Sequence, residues 1–120
     1  MHGMTDPKLS ELTAAVVRHR DEREWKQFHT PKELAISLCI ESAELLQLMQ
    51  WHKAADLQNV IEEKRPHLQD ELADVLFSVL LMAHELNLDL GQSFLDKLQK
   101  TAEKYPIDKS RGSPKKYTEL

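Results

Sequence analysis

Glu41 and Glu44 stand three residues apart in E-S-A-E, Glu71 and Asp74 in E-L-A-D, and twenty-six residues separate the two pairs. On a helix, a spacing of three brings two side chains to one face about 4.5 to 5 Å apart along the axis, close enough for both to touch one cation. If two such helices face each other and the four acids converge, charges about 5 Å apart repel by roughly 3 kcal/mol per pair at an effective dielectric of 20. Several such pairs rival the entire stability of a small domain. The cluster must then be protonated or neutralised by a bound ion. Four oxygen donors without Cys or His select a hard ion, Mg²⁺ or Mn²⁺, over zinc or copper. Because Mg²⁺ held by carboxylates keeps coordination positions for phosphates and water, phosphate-ester chemistry is the natural use. A di-iron bundle, the rival use of paired acids, needs Glu-x-x-His on two helices, and the chain contains no Glu-x-x-His.

The elements that carry these acids are strongly apolar. From Leu72 to Ala83 the polar residues are Asp74 and Ser78 alone, and a helix apolar nearly all round is expected to be buried. The segment around the first pair is similar, with Leu34, Ile36, Leu38, Cys39, Ile40, Ala43, Leu45, Leu46 and Leu48 on most of its wheel and a narrow polar stripe through Glu33, Ser37, Glu41 and Glu44. Cys39 is expected in the core. Acids on such helices are expected to be largely covered, although most i, i+3 carboxylates face solvent.

Thr5, Asp6 and Pro7 suggest a helix start, with Leu9, Leu12, Val16 and Val17 at helical period and an end near Glu24. Thr30-Pro31-Lys32-Glu33 combines an N-cap, a proline at the first helical position and a capping-box glutamate, which predicts a second helix reaching about Trp51. His52 to Arg65 reads as a short helix or a loop. Pro66 marks a third helix from about His67 to Leu86, which Asn87 stops. Asp89, with Gln92 three residues on, caps a fourth that ends before Pro106. Ile107 to Leu120 reads as an extended or partly disordered tail. The expectation is one all-α domain over residues 1–120, a four-helix bundle in residues 6–106 followed by that tail.

Composition agrees. With 120 residues, three glycines and one cysteine, the chain fits one helical domain, and the single cysteine suits a reducing compartment. A net charge of -4 offers no basic surface to polymeric DNA or RNA. The sequence shows neither an eighteen-residue uncharged apolar stretch nor a basic-then-apolar leader, so no membrane partner and a cytoplasmic location are expected.

At these residues the chain resembles the MazG-like all-α nucleoside triphosphate pyrophosphohydrolases, whose signature is E-x-x-E followed by E-x-x-D. The likeness extends to R-D-E-R-E-W-K-Q-F-H-T-P, the Q-W after the first pair, L-Q-D-E-L-A-D-V-L, K-Y-P and the tail S-R-G-S-P-K-K-Y-T, which are similar to the dCTP pyrophosphatase branch. The resemblance implies hydrolysis of a nucleoside triphosphate, dCTP or a modified dCTP, to the monophosphate and pyrophosphate, with Mg²⁺ (or Mn²⁺) on Glu41, Glu44, Glu71 and Asp74. It also implies substrate contacts from Trp25 to His29 (Trp25, Lys26, Gln27, Phe28 and His29), from Trp51, and from Lys97 near the phosphates. Thr101 stands where this branch typically has Asn, and Ser78 where it commonly has Tyr; both are candidate substrate contacts that make different hydrogen bonds.

Other readings compete. Trp25 and Trp51 also suit core anchors at helix ends, and Lys100 and Lys104 complement a helix C-terminus. His19, His52, His67 and His84 show no partner pattern and read as surface or satisfied helix residues. The same bundle also serves a dUTP or broad triphosphate pyrophosphohydrolase, or a non-catalytic nucleotide-binding module. Two helices this apolar need more cover than one small monomer supplies, and the family assembles as dimers or tetramers, so a homo-oligomer is expected.

Overall fold

The computed structural model describes residues 6–120; Thr5, part of the expected first helix start, lies outside them. The chain divides into two compact units, Met1–Asn87 and Leu88–Leu120. The first contains α1 (Leu9–Glu22), a 3-10 turn (Lys26–Phe28), α2 (Pro31–Gln47), a second 3-10 turn (Ala54–Asp56), α3 (Leu57–Glu63) and α4 (Arg65–Glu85). The second contains α5 (Leu90–Lys104), the short α6 (Ile107–Ser110) and a 3-10 turn (Tyr117–Glu119). No strand occurs among the described residues.

Local chemistry sets the ends. Lys8, rather than a residue of Thr5-Asp6-Pro7, is the N-cap of α1, and its N–H donates to the Glu11 carboxylate at 3.2 Å. The α1 C-terminus closes on Glu24 in the left-handed region at φ 54°. There the Glu24 N–H donates to the Asp21 carbonyl at 3.1 Å and the Trp25 N–H to the Arg20 carbonyl at 3.0 Å, the two bonds of a Schellman end. Thr30 Oγ1 accepts from the Glu33 N–H at 3.3 Å with Pro31 at the first position of α2. Asn87, at φ 53°, ends α4 in the conformation asparagine tolerates best after glycine.

Two boundaries differ from expectation. α2 stops at Gln47, because Leu46 and Met49 carbonyls accept from Met49 and His52 N–H groups in tightened turns, leaving Trp51 outside the helix. The ambiguous stretch before Arg65 forms α3. In the second unit Asp89 caps α5 by accepting from the Gln92 N–H at 3.1 Å. The segment from Ile107 is not extended throughout: Ser110 Oγ donates to the Pro106 carbonyl at 2.7 Å, and Tyr117 packs edge-on against Tyr105 at 5.9 Å.

Within the first unit α4 is the central element, packed most extensively on α2, then on α1 and α3. Arg20 near the end of α1 pairs with Glu85 at the end of α4, so these helices run parallel; α2 runs antiparallel to α4. Val16, Leu34, Val60, Leu80, Leu81 and Ala83 form the core, with Leu81 fully covered. Within one protomer the buried residues of α4 lie in its C-terminal half, so a single chain does not supply the cover expected for a helix apolar nearly all round. A 21-residue helix is about 31 Å long, and toward its N-terminus Leu72, Asp74 and Leu76 are exposed. Cys39 is likewise exposed rather than core, because α2 turns Leu34, not Cys39, toward the centre.

Candidate functional site

The antiparallel pairing of α2 with α4 brings the two acidic motifs to the same level. Carboxylate oxygens of Glu41, Glu44 and Glu71 lie within 4.8 Å of one another. One oxygen of Glu41 (Oε2) and one of Glu71 (Oε2) are shielded from solvent and receive no hydrogen bond. Burial, followed by the approach of the Glu71 and Glu44 carboxylates and the charge of Asp74, pushes the Glu41 carboxyl up to about 7. Burial also raises Glu71, together with Glu44 and Asp74. Without an ion the cluster thus favours the protonated form of Glu41, which eases the repulsion that close acids create.

A shielded carboxylate oxygen without a donor is costly. Two of them aimed into one all-oxygen cluster fit a hard divalent cation, which would satisfy both at once. Asp74 stands beside this group rather than within it: it is exposed and lines a cavity of about 170 Å³ together with Glu41, His29 and Ser78.

Leu34, Ser37 and Phe77 complete that cavity. The His29 ring lies edge-on to Trp25 at 5.9 Å and to Phe77 at 6.3 Å. Its Nδ1 is shielded and unpartnered, and burial, then the nearby Arg20 charge, lowers its pKa, so the ring is neutral at pH 7. Ser78 is 3% exposed at the cavity floor. The site therefore joins an acidic cluster to a small aromatic and hydroxyl-lined recess.

The remaining candidates are placed differently. Lys26 and Gln27 line a separate open depression with Asp21, Glu24 and Thr30, and Phe28 is exposed. Trp51, 84% exposed, anchors no core. Lys97 and Thr101 belong to the second unit, where Thr101 Oγ1 donates to the Lys97 carbonyl at 2.9 Å. Two participants escaped the sequence reading. Phe77 was hidden in an unbroken apolar run. His19, exposed as expected, nonetheless lies edge-on to Trp25 at 5.7 Å and to Phe77 at 6.1 Å; its position six residues before Trp25, across the helix end, was the available signal.

No helix among the described residues is long and apolar enough to cross a membrane. The model of the MazG-like family matches residues 36–120. The chain is 35% identical over 117 residues to dCTP pyrophosphatase 1 of Rattus norvegicus, covering 96% of this chain and 69% of that protein. Its human counterpart is 34% identical over 117 residues, with the same coverage. The structure is similar to the crystal structure of a pyrophosphatase from Archaeoglobus fulgidus, with a TM-score of 0.78 and 33% identity, over 88% of this chain and 99% of that one.

Proposed function

The chain belongs to the MazG-like family, and on that basis we propose that this nucleotide pyrophosphohydrolase cleaves dCTP or a modified dCTP to the monophosphate and pyrophosphate with the help of Mg²⁺. The observation that carries the reading is the meeting of Glu41, Glu44 and Glu71 around two shielded, donorless oxygens, next to a recess that an aromatic ring and a neutral histidine border. Those three carboxylates, with Asp74 at the edge, would hold the ion, and a divalent cation held there would polarise the phosphates and lower the pKa of an attacking water. The oxygen of that water forms a bond to the α-phosphorus as its proton passes to solvent, the bond to the α–β bridging oxygen breaks, and pyrophosphate leaves.

The residues of the chain supply binding and orientation. Trp25 offers a face on which a base can stack, a contact worth about 1 to 3 kcal/mol and tolerant of base type. Discrimination then falls to polar atoms: we assign the reading of a base or sugar edge to the unpartnered His29 Nδ1 and the Ser78 hydroxyl, supported by their both lining the recess. Trp51, Lys97 and Thr101 complete the assignment by resemblance, with Lys97 offsetting phosphate charge.

The proposal includes a four-helix bundle assembled as a homo-oligomer, dimer or tetramer, and a cytoplasmic location. Ile36, Ile40 and Leu46 on α2, and Leu72 and Leu76 on α4, are exposed, a cost that a second copy of the chain removes. Light scattering at micromolar concentration checks this, and a monomer overturns it. For the activity, the purified protein is incubated with a panel of triphosphates and Mg²⁺, and pyrophosphate is measured against orthophosphate. Pyrophosphate from dCTP-type substrates is the expected result; orthophosphate alone, or no release, refutes the reading.

A further inference from the structure

Arg20 is 2% exposed and lines neither the acidic cluster nor the recess, although its charge helps keep His29 neutral. It falls on the core stripe of α1, four residues after Val16, where an aliphatic side chain would pack without the cost of burying a charge. Its side chain and its backbone act in different directions. Nη1 donates to the Glu85 carboxylate at the end of α4, and Nε donates to Asp21 Oδ1 at 3.0 Å. Its carbonyl accepts the Trp25 N–H at 3.0 Å and the Arg23 N–H at 3.2 Å, which closes the turn out of α1.

From that turn the chain runs directly to the recess. The Trp25 carbonyl accepts from the Phe28 N–H at 2.9 Å and from the His29 N–H at 3.1 Å. The rings of His19 and His29 then pack edge-on between Trp25 and Phe77 of α4. One residue thus fixes the end of α1 to the end of α4 and also anchors the loop that carries Trp25 and leads to His29, which lines the recess with Glu41.

We infer that the Arg20–Glu85 pair is a clasp that holds the Trp25-to-His29 loop in register with the α4 wall of the recess, making Arg20 a positioning residue for recognition of the nucleotide's base. The inference rests on the proposed function in placing the base at this loop. A planar guanidinium suits the task, because its fork holds two acceptors in fixed directions while a lysine holds a point charge. Loss of the clasp loosens the loop without touching the carboxylates, so base recognition suffers and metal binding does not.

The test compares wild type, Arg20→Met and Glu85→Gln in three measurements. The first is KM and kcat across the triphosphate panel. The second is Mg²⁺ affinity without nucleotide. The third is the Trp25 indole N–H signal in NMR spectra, assigned by its disappearance in Trp25→Phe. The expected result is a KM for the preferred substrate raised tenfold or more, kcat at saturation reduced less than threefold and a narrowed preference across bases. Mg²⁺ affinity should stay within twofold, and the Trp25 signal should be shifted or broadened. Glu85→Gln, which keeps the side-chain shape but removes the negative charge that Arg20 pairs with, decides the matter should Arg20→Met lose its melting transition. An unchanged Trp25 signal with KM within twofold overturns the clasp. So does a parallel fall of kcat and Mg²⁺ affinity, which marks a general structural role. If wild type releases no pyrophosphate, the proposed function falls, and the Trp25 signal alone still decides whether the clasp holds the loop.

Discussion

Replacing Glu41 with Gln removes one ionisable group from the carboxylate cluster and keeps its shape. In the metal-free protein the Glu41 carboxyl is pushed from its ordinary 4.5 up to about 7, chiefly by burial and then by Glu71 and Glu44. A folded-state value above the unfolded one means that the fold favours the protonated form. The stability this contributes is complete below about pH 4.5 and is lost as pH rises through about 7. At 1.36 kcal/mol per decade, the whole interval corresponds to about 3 kcal/mol at pH 8. Water on the open side of the cluster screens this to about 1 to 2 kcal/mol. Gln cannot ionise and escapes the loss. Glu41→Gln should therefore melt about 4 to 8 °C above wild type at pH 8 in EDTA, and close to it at pH 4.5. Saturating Mg²⁺ should then stabilise wild type by mass action and the variant much less, while pyrophosphate release from the variant collapses. Calorimetry in EDTA and in Mg²⁺ at both pH values reads all of this. A variant that melts below wild type at pH 8 in EDTA, or equal Mg²⁺ stabilisation of the two proteins, refutes the reasoning.

Glu24→Gly should raise the melting temperature, because Glu24 sits at φ 54°, where a residue with a Cβ costs about 1 kcal/mol that glycine avoids; a lower melting temperature contradicts this. Leu81→Ala, at a fully covered position, should cost about 2 to 5 kcal/mol in urea denaturation. Trp25→Ala should lower kcat/KM for the preferred nucleotide about 5- to 150-fold, the loss of one stacking contact, and leave Mg²⁺ affinity in the absence of nucleotide unchanged.

The caps were legible because they depend on neighbours in sequence. Thr30 before Pro31, Asp89 before Gln92 and Asn87 after α4 each act within a turn. The meeting of Glu41 and Glu44 with Glu71 was legible for a related reason: helical spacing fixed the face and the charge repulsion demanded a remedy. What periodicity cannot supply is the identity of the covering element. The same apolar pattern surrounds Leu34, which is buried, and Cys39 and Ile40, which are exposed. Only the packing of α2 on α4 separates them. Asp74 shares a helical face with Glu71, yet it faces the recess from the edge of the cluster, a difference smaller than a helix turn. Arg20 was not legible as a buried residue, because its charge hides its place on the apolar face of α1 and its partner lies 65 residues away, beyond any local rule.

One helix passes from wet to dry along its length. The acids and exposed leucines occupy the early turns of α4, while Ser78, Leu80, Leu81 and Ala83 lock the later ones. In a lone protomer, protection against amide exchange should accordingly rise along this single rod, with rapid opening around Leu72 to Asp74 and slow opening from Leu80 to Ala83. Glu71 and Asp74 then ride on the end that breathes, and a cation held there would quiet the very turns the bare protein leaves loose.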